Sequence, residues 1–138
     1  MKHWIVLSLM LLISACQPAE PKIPYGEVSC GHCGMHVMDP QFGAMAINEH
    51  GKPSYFDSIE CLVTAMQQGK HQDSKYYVAH YTVEGPLQNA EDCAYHVAES
   101  VRSPMGGHVG ALPVDGDMPS DGIILTWSEV QLHEFMKH

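Results

Sequence analysis

The chain has 138 residues, enough for one compact domain with a sizeable core, and carries 16 acidic against 7 basic side chains, for a formal charge of −9. That balance argues against a nucleic-acid partner and offers no basic patch for anionic lipid. The unusual content is soft: five cysteines, nine methionines and ten histidines.

In chain order, Lys2 precedes an apolar run from Trp4 to Ile13. The run is too short to span a bilayer and suits the hydrophobic region of a signal peptide. It ends in L-I-S-A-C, which resembles a bacterial lipobox and implies removal of residues 1–15 and acylation of Cys16. Residues 16–28 then read as a lipidated cysteine and a tether, because Pro18, Pro21 and Pro24 favour extended polyproline conformation over packing. Acyl chains hold such a domain at a membrane without a spanning helix. Gln17, directly after the lipidated cysteine, looks like an outer-membrane address and would leave the domain in the periplasm. Seven of the nine methionines and nine of the ten histidines lie beyond residue 15.

Residues 29–35, S-C-G-H-C-G-M, can be parsed in two ways. Cys30-Gly-His-Cys33 is the dithiol sequence of a disulfide isomerase, whereas Cys33-Gly-Met35 offers a thiolate and a thioether to a soft metal. The redox parsing needs a sheet ahead of the motif and a helix behind it, since the helix dipole lowers the pKa of the attacking thiol. Only the proline-rich tether precedes Cys30, and M-H-V-M-D-P after Gly34 is a poor helix that Pro40 ends. A structural zinc site needs a second close ligand pair, and Cys61 and Cys93 stand singly. A Cys30–Cys33 disulfide competes with the metal reading in an oxidising compartment.

The body of the chain, residues 29–138, predicts an α+β domain of two related halves, about 29–82 and 83–138, each a hairpin feeding a helix. In the first half, F-G-A-M-A-I-N and P-S-Y-F are strand-like and joined through His50-Gly51. A helix follows, with Asp57 as its N-cap and Glu60 completing a capping box. Ile59, Leu62, Val63 and Met66 fall on one face of it at i, i+3, i+4 and i+7. In the second half, H-V-G-A-L-P-V and G-I-I-L-T flank a polar loop, and Thr126 with Glu129 repeats the cap. K-Y-Y-V-A-H-Y and C-A-Y-H-V-A-E-S supply further strands between the two.

Three ordered blocks, C-G-H-C-G-M-H-V-M-D-P, Y-F-D-S-I-E-C-L and A-Y-H-V-A-E-S-V-R-S-P-M-G-G-H, resemble the NosL family of copper-binding lipoproteins, associated with assembly of the copper-sulfide centre of nitrous oxide reductase. The resemblance runs from about Cys30 to Pro113, and the lipobox agrees with it. It implies a Cu(I) site at Cys33 and Met35, from the family's Cys-Gly-Met, joined by Met105, from its Pro-Met-Gly. Soft, d10 Cu(I) suits thiolate with thioether better than Zn(II) does. Met35 and Met105 each precede one of the two hairpins, so the repeat would bring them together where the halves meet.

His108, His32 and His36 are further candidates for that ion or for a second metal, with rotation about Gly31 and Gly34 bringing His32 and His36 within reach. Cys30 is a ligand, a disulfide partner of Cys33, or a gate on the site. Asp57 is accounted for by the N-cap. Cys61 reads as a core residue beside Leu62 and Met66, and a Cys61–Cys93 bridge cannot be read from sequence.

The resulting expectation is a periplasmic, membrane-anchored Cu(I) chaperone, not an enzyme. Its client would be a copper enzyme, apo nitrous oxide reductase being the one the resemblance implies. A thiol-disulfide oxidoreductase using Cys30 and Cys33, and a copper-sequestering lipoprotein without a client, are the alternatives.

Overall fold

The structure, a computed structural model, describes residues 19–135. The expected leader over residues 1–15 and the lipid-bearing Cys16 lie outside the described residues. No helix among the described residues is long and apolar enough to cross a membrane.

The chain joins the core early. Ile23, in the proline-rich stretch, is only 7% exposed, and Tyr25 packs beside it. Both lie over Gly43, where a Cβ would come within 2.7 Å of the Tyr25 hydroxyl and 2.9 Å of the Ile23 Cδ1. Proline content signals the extended backbone of this segment but not the apolar anchor inside it.

Strand β1 (Ala44–Asn48) forms an antiparallel hairpin with β2 (Pro53–Phe56), Ala44 opposite Phe56. Gly51, at φ +77°, makes the turn, and the Asn48 side-chain oxygen accepts from the amides of His50 and Lys52. Strand β3 (Ser74–Val78) pairs on the other side of β1, and the short β4 (Gln88–Asn89) completes a sheet of order β2-β1-β3-β4. The second sheet has β5 (Cys93–Val97) at its centre, between β6 (Val109–Pro113) and β7 (Ile123–Leu125). The hairpin expected in the second half does not form: β6 and β7 both pair with β5 and not with each other, because the polar loop between them is long enough to cross a strand. A parallel bridge from His80 to Ala111 ties the two sheets, reinforced by the Tyr81 amide donating to the Ala111 carbonyl at 3.0 Å.

Each sheet feeds a helix, and the α+β class expected from the sequence is borne out. In α1 (Ile59–Gln67), Ile59, Leu62 and Val63 are fully buried and Met66 packs at the edge, as their spacing requires. Burying side chains of that size contributes roughly 2 kcal/mol each. Helix α2 (Trp127–Leu132) has the expected capping box: the Glu129 amide donates to Thr126 Oγ1, and the Thr126 amide donates to Glu129 Oε2 at 2.7 Å. Both helices share one core with Phe56, Tyr95 and Trp127, and the Gln67 side chain donates to the carbonyls of Gln131 and His133.

The cap of α1 differs from expectation. Ser58, extended at φ −155° and ψ 166°, is the N-cap, its Oγ accepting from the Cys61 amide at 3.3 Å. The helix thus begins one residue later than the Asp57 reading placed it. Asp57 instead accepts a hydrogen bond from the Met38 amide. Glu60 becomes the second helical residue and points into the second half of the molecule.

Candidate metal centre

The S-C-G-H-C-G-M stretch is a closed loop. Ser29 and His36 form an antiparallel bridge, the Cys30 amide donates to the Met35 carbonyl at 2.7 Å, and the Gly34 amide donates to the Cys30 carbonyl at 3.0 Å. Gly34, at φ +76°, takes the left-handed conformation this turn demands. The Gly31 amide donates to the Tyr55 carbonyl at 2.8 Å and seats the loop on β2. The result turns Cys30 inward, leaves Cys33 half-buried at the tip, and exposes 49% of Met35.

Opposite the loop is the first turn of α1, which presents Cys61. The sulfurs of Cys30, Cys33 and Cys61 all lie within 4.8 Å of one another. Three thiolates around one metal at about 2.3 Å sit about 4 Å apart, so a small inward shift closes this group on an ion. The four cysteines of the described residues are free.

The three thiols do not titrate alike. The hydrogen bond from Cys61 foremost, helped by the amides of Asp57, Cys33 and His32, holds the Cys30 thiol down to about 4 against the opposing effect of burial. Cys61 is pushed up, because its proton is committed to Cys30 and the site is buried. Burial also raises Cys33, while the Met35 amide donates to its sulfur and works the other way. These donors favour the thiolate at Cys30 over those at Cys33 and Cys61. Asp57, below it, is raised by burial and then by the negative charge of Cys30 and Asp39.

The second loop of the expected site lies against α1. Glu60, fully buried, accepts from Ser103 Oγ and from the Gly107 amide. This places Met105, half-buried against the core, on a loop latched to the helix that carries Cys61. Met35, His36, Met38, Asp39 and Asp57 line a cleft of about 450 Å³ whose other residues are Arg102 and Pro104. Met35 of Cys-Gly-Met and Pro104 of Pro-Met-Gly thus line the same cleft, and Met105 is not among its lining residues.

The histidines are more loosely placed. His36 is exposed in the cleft and His32 is half-buried at the loop tip. His108, at φ +56°, donates from Nδ1 to the Val101 carbonyl at 2.9 Å, which leaves the Nε2 lone pair for another partner. Among the described residues, none of the three joins the thiol group.

Sequence reasoning took Cys61 for a core residue. It is buried, but it is also the third member of the thiol group, and no local signal set it apart, because its partners Cys30 and Cys33 are distant in sequence. Cys93 stands elsewhere, its Sγ donating to the Asn89 carbonyl and lying 3.3 Å from His80 Nε2, with burial raising its thiol to about 11. Cys61 and Cys93 therefore do not face each other. The Cys30–Cys33 pair sits in an irregular loop and not at a helix N-terminus, and its low-pKa thiol is the buried one. A disulfide-exchange enzyme needs the opposite arrangement.

No protein-family model matches the sequence, and no curated protein matches it. Among solved structures, the crystal structure of the copper chaperone NosL from Shewanella denitrificans superposes with a TM-score of 0.69 at 18% identity, over 82% of this chain and 96% of that one. At that identity the likeness is one of fold: the chain has the fold of the copper chaperone NosL, with a three-thiol group at its own candidate metal centre.

Proposed function

We propose that this protein is a NosL-type chaperone that binds Cu(I) and hands it to a copper enzyme. The observation that carries the reading is the convergence of the Cys30, Cys33 and Cys61 sulfurs, all within 4.8 Å of one another. Three soft sulfurs in low coordination suit Cu(I), and the thioethers of exposed Met35 and half-buried Met105 would supply weaker, exchangeable donors. The hydrogen bond from Cys61 favours the thiolate at Cys30, and the thiols still protonated give up their protons as the ion enters. Release runs outward: a soft ligand of the client displaces the thioethers first, then half-buried Cys33, and the buried thiols last. No bond in an organic substrate is made or broken, so the protein acts as a carrier and not as an enzyme.

The client we propose is apo nitrous oxide reductase, and the location the periplasmic face of the outer membrane, through acylated Cys16. The support is the lipobox and the three sequence blocks. Reduced protein lacking residues 1–18 should take up about one Cu(I) tightly, as its soft donor set implies, in anaerobic competition with a Cu(I) chelator. Failure to compete for Cu(I) would sink the reading. Copper-loaded protein should then activate the apo-enzyme faster than free copper does; tight binding without transfer would mean sequestration. Cys16→Ala should release the protein from the membrane fraction.

A further inference from the structure

We infer that Glu60 is a positioning residue for copper, whose buried carboxylate clamps the Met105 loop over the helix turn bearing Cys61. The inference rests on the reading of Met105 as a copper donor.

A fully buried carboxylate at the start of a helix is costly, and this one is not used in a cap. One of its oxygens, Oε2, has no hydrogen-bond partner among the described residues. The other, Oε1, accepts from Ser103 Oγ at 2.5 Å and from the Gly107 amide at 3.2 Å. Those two donors bracket Met105. The hydroxyl of Ser103 in turn accepts from the His108 amide at 2.9 Å, and the Gly106 amide donates to the Ser103 carbonyl at 3.1 Å. Residues 103–108 thus form a small ring of hydrogen bonds with Glu60 at its base and Met105, half-buried against the core, within it.

The approach is as close as the chain permits. A Cβ on Gly107 would meet Cβ, Cγ and Cδ of Glu60 at 3.0 Å. Strand β6 does not need this clamp for its own pairing, since Val109 already faces Val97 and the Ala98 amide donates to the His108 carbonyl at 3.0 Å. What the clamp adds is a fixed relation between Met105 and α1. A thioether is a weak donor, and holding it in place keeps the entropic cost of recruiting it from cancelling its contribution.

The test is a double-mutant cycle read by Cu(I) chelator competition and by the rate of copper release. Glu60→Ala should lower affinity about tenfold, as loss of a supporting hydrogen bond at a metal site typically does, and should speed release. Glu60→Gln keeps an oxygen that accepts both hydrogen bonds and should stay near wild type. Ser103→Ala, which removes the bond to Glu60 and the one from the His108 amide but keeps that from the Gly107 amide, should fall between them. In a Met105→Ala background, Glu60→Ala should have no further effect. Additive losses, or a Glu60→Gln variant as weak as Glu60→Ala, would overturn the clamp. If Glu60→Ala does not fold, the same cycle run with Ser103→Ala decides by the same criterion. Met105→Ala binding as tightly as wild type would remove both the Met105 donor and the clamp, whereas a weakened Met105→Ala beside unaffected Glu60→Ala and Ser103→Ala would remove the clamp alone.

Discussion

The sulfur of Cys61, in the first turn of α1, lies within 4.8 Å of the sulfur of Cys30, in the loop on β2. This contact converts a Cys-Gly-Met motif into a group of three thiols. Cys61→Ala should therefore cost Cu(I) affinity well beyond the about tenfold expected from a lost supporting contact, while the small cavity it leaves should cost about 1 kcal/mol of stability. Cys93→Ala, remote from the group, should leave affinity unchanged. Chelator competition on the two variants checks both, and equal affinities in Cys61→Ala and wild type would exclude Cys61 as a ligand.

Oxidation should switch the site off. A Cys30–Cys33 disulfide removes two of the three sulfurs as thiolates, and a disulfide sulfur is a poor ligand. Oxidised protein should fail to bind Cu(I) and recover on reduction, and bound Cu(I) should shield Cys33 from alkylation. Cys30→Ser keeps Cys33, Met35 and Cys61, so it should bind copper more weakly but resist that inactivation. Disulfide-isomerase turnover in wild type that disappears in Cys30→Ser, with no copper binding in either, would restore the redox reading.

The proline-rich entry to the domain should matter for stability from Ile23 onward. Ile23→Ala should lower unfolding free energy by about 2 kcal/mol or more, the usual cost of truncating a buried isoleucine, as measured by urea denaturation. A chain starting at residue 19 should match the longer form, and one starting at residue 27 should be markedly weaker. Equal stability of the two truncated chains would show that Ile23 and Tyr25 contribute nothing.

Acid should weaken the junction of the two sheets. Burial lowers the pKa of His80, against an opposing pull from Asp115. Its folded value therefore lies below the usual 6.5, so its contribution to stability is complete above that pH. The contribution is lost as pH falls through the folded value. The denaturant midpoint should drop as pH falls below 6.5, and His80→Gln should flatten that dependence. Parallel slopes in the two proteins would assign the acid sensitivity to other groups.

The sequence by itself determined what local periodicity and turn chemistry control. The apolar spacing of Ile59, Leu62, Val63 and Met66 sets the buried face of α1, Thr126 and Glu129 cap α2, and Gly51 with Asn48 turns the first hairpin. Each of these depends on neighbours a few positions away. The soft residues also raised the expectation of a soft-metal site, and the Cys-Gly-Met and Pro-Met-Gly blocks each contribute one residue to a shared cleft.

Only the tertiary structure decided which side chains form the three-thiol group. Serine won the cap of α1 because the backbone turns extended at Ser58, which freed Asp57 for the Met38 amide and sent Glu60 across to Ser103 and Gly107. The loop seated on β2 turned Cys30 inward toward Cys61, and β5 took the place between β6 and β7. None of these partners is close in sequence. A cysteine in a helical first turn reads the same whether its sulfur meets a leucine or another thiol, because the choice depends on which element the folded chain packs against it.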